Sequence, residues 1–298
     1  MKQIVLFFIF LWVGSSSLFS KVLEIPFVQL PTGQLVVKVE LSGIENEQLF
    51  IIETSGCHCL RGDMMYRLND LGMDTAKKFH NFNMLKIGDF LIHNKKKIVV
   101  NKSIGKRGEH AFPEPVLGTL GPQIFKNKIV QINYDEKVIK VADDLHEFKI
   151  PENTPSVHFT QSFMNKIPSV DVKDDFGGVN ETVIEISSPV FISRYEANYS
   201  DARHLRYRRE KGIKPQKISL DGKDIIEILA VEEDQVYINH DIPIYNPVLY
   251  ISSGLQSMIG NSFLKHFRST FDFKKKVLYL DPIDEEGVGY VTDPKGSK

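Results

Sequence analysis

Short runs in which apolar and polar positions alternate recur along the chain, at residues 34–41, 48–52, 98–100, 129–134, 138–141, 182–184, 235–238 and 277–280. Most are rich in Val, Ile, Phe or Tyr and are closed by Gly, Asn or Asp, the period-two signature of strands separated by turns. The pattern predicts an all-β protein. Two stretches depart from it and read as short helices, 64–71 and 193–209, the second rich in Arg and Tyr. Pro151 and Pro155 break the chain near its middle, so a linker is expected over 149–157.

The first residues follow a different rule. Lys2 precedes an uncharged run from Ile4 to Val13, and then come Gly14, Ser15, Ser16 and Ser17. A basic start, a short apolar run and small residues make a secretory signal peptide over 1–20, too short to span a bilayer as a helix. The expected mature protein is exported, periplasmic or extracellular, without a membrane span after signal removal. Its divisions are expected at 21–148, 149–157 and 158–282, with a polar tail over 283–298.

The two halves repeat one another. Thr119-Leu120-Gly121 leads into a short apolar stretch and then Lys137-Val138, and Met258-Ile259-Gly260 leads into Lys276-Val277. The spacing between equivalents is 139 residues at both the glycines and the valines, without a gap. Upstream, Phe50-Ile51-Ile52-Glu53-Thr54-Ser55 answers to Thr182-Val183-Ile184-Glu185-Ile186-Ser187 at a spacing of 132. Two copies of one unit describe this better than a solenoid of many short repeats.

An apolar pair, an acid-Thr-Gly-like turn, and some 65–75 residues later an apolar pair with glycine make the lobe pattern of aspartic peptidases. The chain resembles the pepsin/retropepsin-like family, especially bacterial exported members with two lobes in one chain, over nearly all of its mature length. The resemblance implies a bilobal all-β fold with two related, barrel-like lobes. It also implies one acid from each lobe, sharing a proton at the floor of a peptide-binding cleft. The acids would be Glu53 and Glu185, supported by Thr54, Ser55, Ser187, Gly121 and Gly260. The family has aspartate at both acid positions and glycine where Ser55 and Ser187 stand. Its second threonine is here Ile186. The longer acids, the lost glycines and the lost threonine predict a misplaced pair titrating near ~4.3 and little or no peptide hydrolysis. A bland alternative makes each glutamate a strand-end acid facing solvent. Matched glutamates at both positions favour surviving chemistry, an endopeptidase running on a Glu53/Glu185 dyad.

The other candidates are weaker. Cys57-His58-Cys59 suggests a metal or thiol site, but three adjacent residues fit one tetrahedral ion poorly, and two packed thiols or a short-loop disulfide fit an exported protein better. No metal or other cofactor is expected. Arg61-Gly62-Asp63 spells an adhesion tripeptide, equally well explained as a turn. Arg203, Arg206, Arg208, Arg209 and Lys211 read as a solvated face or an anion-binding one, and Phe176-Gly177-Gly178 as a turn. A flap over the cleft is expected near 81–95. With 37 Lys+Arg against 38 Asp+Glu there is no basic excess to suggest nucleic acid. The partner implied is a peptide or protein segment in the cleft, held by strand addition.

Overall fold

Three sheets carry the chain in the computed structural model. It describes residues 22–292 apart from 32, 57, 75, 102–114, 163–165, 175–177, 196–215, 220–224, 233 and 253–256. The signal-peptide segment, Cys57, Phe176 and Gly177, the arginine-rich stretch and the last six residues lie outside the described residues.

The first half forms a seven-stranded sheet in the order Val28–Gln29, Leu35–Leu41, Gln48–Ile52, Val116–Leu120, Cys59–Arg61, Phe90–Asn101 and Phe79–Ile87. Leu35–Leu41 also pairs with Phe79–Ile87, which curls the sheet towards a barrel. Phe50, Ile51 and Ile52 are all buried, because their strand lies between two others and has core on both faces. The second half repeats the arrangement. Gln48–Ile52 runs parallel to Val116–Leu120, as Val179–Ile184 does to Met258–Ile259. Cys59–Arg61 runs parallel to Phe90–Asn101, as Ile192–Tyr195 does to Val248–Ser252.

A six-stranded sheet joins the halves, with three strands from each: Leu23–Pro26, Val138–Ala142, Ile129–Asn133, Phe267–Asp272, Val277–Pro282 and Ser156–His158. At its centre Gln131 pairs with Thr270, its equivalent 139 residues on, and their side chains are hydrogen-bonded at 3.0 Å. The approximate two-fold axis of the molecule passes between them. Beneath this sheet Phe125, Phe273 and Phe271 stack at 6.3 and 5.7 Å, so one continuous core runs through both lobes.

Helices are short, and Met65–Asp70 falls within the expected 64–71. The second helical candidate begins instead as a strand. Ile192–Tyr195 lies between two ladders, with Ile192 and Ser193 fully buried, and the sheet overrides the Arg/Tyr composition that suggested a helix. The region expected to be a polar tail opens with a helix, Glu285–Val291. Asp284 caps it by accepting from Gly287 N at 2.6 Å, and Tyr290 packs 4.9 Å from Phe191. The flap expected at 81–95 is a hairpin whose turn, Gly88-Asp89, packs on the first strand, with Asp89 N donating to Glu24 O at 3.0 Å. In the register of the sheet Ile87 lies beside Val39 and Gln48, at the far end of the strand from Glu53, so this turn covers no site there. Among the described residues no helix is long and apolar enough to cross a membrane.

Candidate active site

Both acids stand where a strand leaves its sheet. Glu53 N donates to Leu120 O at 3.1 Å, and Glu185 N donates to Ile259 O at 2.8 Å. Gly121 and Gly260 follow those two carbonyls and lie against the acid turns. A Cβ on Gly121 would stand 2.3 Å from Gly56 O, and one on Gly260 would stand 2.2 Å from Val190 O. Only glycine allows backbone to approach this closely. The sequence-derived set of Glu53, Thr54, Ser55, Glu185, Ser187, Gly121 and Gly260 therefore surrounds one point on the lobe interface.

Two hydroxyls cross that interface in opposite directions. Thr54 Oγ1 donates to Ile184 O at 2.5 Å and accepts from Ile186 N at 3.1 Å. Ser187 Oγ donates to Ile52 O and accepts weakly from Leu35 N at 3.4 Å. Ile52 and Ile184 are the residues immediately before the two acids. The paired hydroxyl support expected to be lost with Ile186 is therefore present, because Ser187 supplies the donor one residue later. Ile186 takes part through its backbone: its carbonyl accepts from Tyr134 Oη at 3.2 Å and Asn261 Nδ2 at 3.3 Å.

The carboxyls are held very differently. Glu185 is 5% exposed and reaches into the turn of the other lobe. Its Oε1 accepts from Thr54 N at 3.3 Å and Ser187 N at 2.8 Å, and its Oε2 from Ser55 N at 2.6 Å. The Ser55 side chain also favours the ionised form. Glu53 lies back over Gly56, where a Cβ would stand 1.6 Å from its Oε1, and the Thr119 side chain works against the rise in its pKa. Neither acid is an exposed strand-end residue: Glu185 is buried and Glu53 half-buried. Burial and the negative charge of Glu185 push Glu53 up to about 8. Burial also raises Glu185, while the Ser55 side chain and the backbone N–H groups of Ser187, Ser55 and Thr54 work in the opposite direction. The pair is thus coupled and raised, in place of two independent acids near ~4.3. The charge rests on Glu185, where the donors are, and the proton on Glu53.

Sequence reasoning missed Thr119, Gly56, Tyr134 and Asn261. Two left a trace: Thr119 is polar in an apolar-apolar-Gly slot that holds Met258 in the second half, and Gly56 directly follows the motif. Of the other candidates, Cys59 is fully buried and disulfide-bonded, and the chain's other cysteine, Cys57, lies outside the described residues. His58 between them accepts from Gly121 N on Nδ1 at 3.1 Å. Among the described residues no three His, Cys, Asp or Glu side chains converge to hold a metal ion. Arg61 is 3% exposed, paired with Asp63 at 2.6 Å and bonded to Val116 O, so the tripeptide is a structural turn that no adhesion partner could grip.

No family profile and no curated protein sequence matches the chain. Solved structures do. The aspartic proteinase from Irpex lacteus superposes with a TM-score of 0.54 at 10% identity, over 91% of this chain and all of its own. Basic 7S globulin from soybean superposes with a TM-score of 0.53 at 8% identity, over 92% of this chain and 99% of its own. The chain has the bilobal pepsin-like fold of aspartic proteinases. At these identities the likeness is one of fold alone.

Proposed function

We propose that this protein is an exported, aspartic-peptidase-like binding protein that holds an extended peptide between its lobes and does not cut it. The observation that carries the reading is the state of Glu185. A carboxylate offers about four lone-pair positions, and the backbone N–H groups of Thr54, Ser55 and Ser187 occupy three of them. The family's chemistry needs the charged acid to hold and activate a water. A buried carboxylate with three positions taken by fixed backbone donors has little room for one. Glu185 then acts as a bolt between the lobes. Glu53, carrying the proton, is left as a hydrogen-bond donor for a peptide carbonyl.

A second reading, an endopeptidase running on the Glu53/Glu185 dyad, is favoured by one observation. The two acids are coupled, with Glu53 pushed up to about 8 by burial and by Glu185, as a proton-sharing pair requires. Incubating the mature protein with a mixed peptide library from acidic to neutral pH separates the two. The expected outcome is peptide retained on the protein and no new termini by mass spectrometry. Turnover abolished by both Glu53→Gln and Glu185→Gln would instead establish the endopeptidase.

A further inference from the structure

We propose that Tyr134 is a positioning residue of Glu185: its hydroxyl, reaching over from the first half of the chain, holds the Ile186–Ser187 peptide, whose N–H in turn holds the Glu185 carboxylate. The inference rests on Glu185 being the ionised acid of the pair, as in the function proposed above, and not on peptide binding itself.

A single peptide unit is gripped at both ends. Its carbonyl, Ile186 O, accepts from Tyr134 Oη at 3.2 Å and from Asn261 Nδ2 at 3.3 Å. Its N–H, on Ser187, donates to Glu185 Oε1 at 2.8 Å. The C=O and N–H of a peptide lie in one plane, so a donor that fixes the carbonyl also aims the N–H. It strengthens that N–H as well, because hydrogen bonds in a chain polarise one another, by roughly 10–30% per bond. Tyr134 follows the Ile129–Asn133 strand of the central sheet and is buried, its ring edge-on to Phe27 with centroids 6.1 Å apart. Phenylalanine would make that ring contact equally well; the hydroxyl is what reaches Ile186. Burial and the charge on Glu185 push the phenol well above its ordinary range, so it remains a donor while the carboxyls titrate.

The support is one-sided, and the duplication makes this visible. At the 139-residue spacing Tyr134 answers to Phe273 and Asn261 to Pro122, neither of which has a side-chain donor. At the 132-residue spacing Ile186 answers to Thr54. The carbonyl of Ile186 thus receives two side-chain donors, and that of Thr54 receives none from the equivalent positions. A backbone N–H can only donate, so a strengthened one favours the anion over the acid. The extra donors therefore stand at the turn of the acid that carries the charge, and have no counterpart at the turn of Glu53.

The test is titration of Glu185 in the mature chain, followed by the carboxyl carbon resonance of labelled protein. A Glu53→Gln background leaves one acid of the pair, so the midpoint belongs to Glu185 alone. Tyr134→Phe then keeps the ring and removes the hydroxyl. The midpoint is expected to rise by about half a pH unit, roughly threefold in proton affinity. With Glu185 ionised, the Ser187 amide proton should move upfield while those of Thr54 and Ser55 stay. Fluorotyrosine placed at position 134 alone, a more acidic phenol and a stronger donor, should move both readings the opposite way. An unchanged midpoint in Tyr134→Phe, amide shifts shared equally by Thr54, Ser55 and Ser187, or a fluorotyrosine that acts like phenylalanine would each overturn the proposal. Wild-type protein that cuts peptide or fails to retain it would overturn the proposed function and leave this result unaffected.

Discussion

At Gly56 a single hydrogen separates the backbone from the Glu53 carboxyl. A methyl group there would lie 1.6 Å from Oε1 and 2.8 Å from Cγ, so the acid would have to leave its place over the turn. We expect Gly56→Ala to destabilise the fold by only about 1 kcal/mol, because the atoms it meets are the movable end of the Glu53 side chain. The displaced acid should also titrate nearer its ordinary range, which urea melts and carboxyl NMR would check. Both acids are legible in the sequence because they end strongly apolar strands, a signal a single chain carries well. What a single chain does not carry is direction. By length alone the added methylene of Glu53 implies a misplaced carboxyl, whereas the glycine stands one residue along, at position 56 in place of 55, and makes room for it.

At the scale of elements, the two turns lock through hydroxyls on non-equivalent residues, Thr54 in one lobe and Ser187 in the other. Thr54 satisfies two buried backbone groups at short range, Ile184 O and Ile186 N, while Ser187 satisfies Ile52 O firmly and Leu35 N only at 3.4 Å. Leaving a buried backbone group unpaired costs about 1–3 kcal/mol. Thr54→Val should therefore lose more stability than Ser187→Ala in equilibrium unfolding. The double variant should lose less than the sum of the two, since both act on one interface. Most strands are legible from alternation and β-branched content, and Gln48–Ile52 and Gln235–Ile238 agree residue for residue. Ile192–Tyr195 is not, because its neighbours in the sheet come from 248–252 and 258–259. Such distant pairing leaves no mark on local composition.

For the molecule as a whole, the raised acids give stability a direction in pH. Glu53 binds its proton more tightly folded, at about 8, than at its ordinary value of 4.5. The folded state holds more protons than the unfolded one between these values, so stability is full below the lower and is lost as pH rises through the upper. The loss is of the order of a few kcal/mol. Thermal melts should show a falling Tm from about pH 4.5 to about pH 8, and Glu53→Gln, neutral throughout, should flatten the curve and exceed wild type at its alkaline end. Glu185→Gln should be worse at every pH, because an amide nitrogen would face N–H donors. The duplication is legible in the 139-residue spacing of the glycines and valines, and the bilobal fold in the family resemblance. That spacing also reappears as a contact, Gln131 against Thr270 on the two-fold axis. Ile129–Asn133 and Phe267–Asp272, which meet there, are related by that axis, so each is shaped to pair with an edge like itself. Neither half owns a complete central sheet. A chain severed between Pro151 and Pro155 would stay one particle, zipped along this seam, and a half made alone would carry a self-complementary edge that a second copy of itself could close.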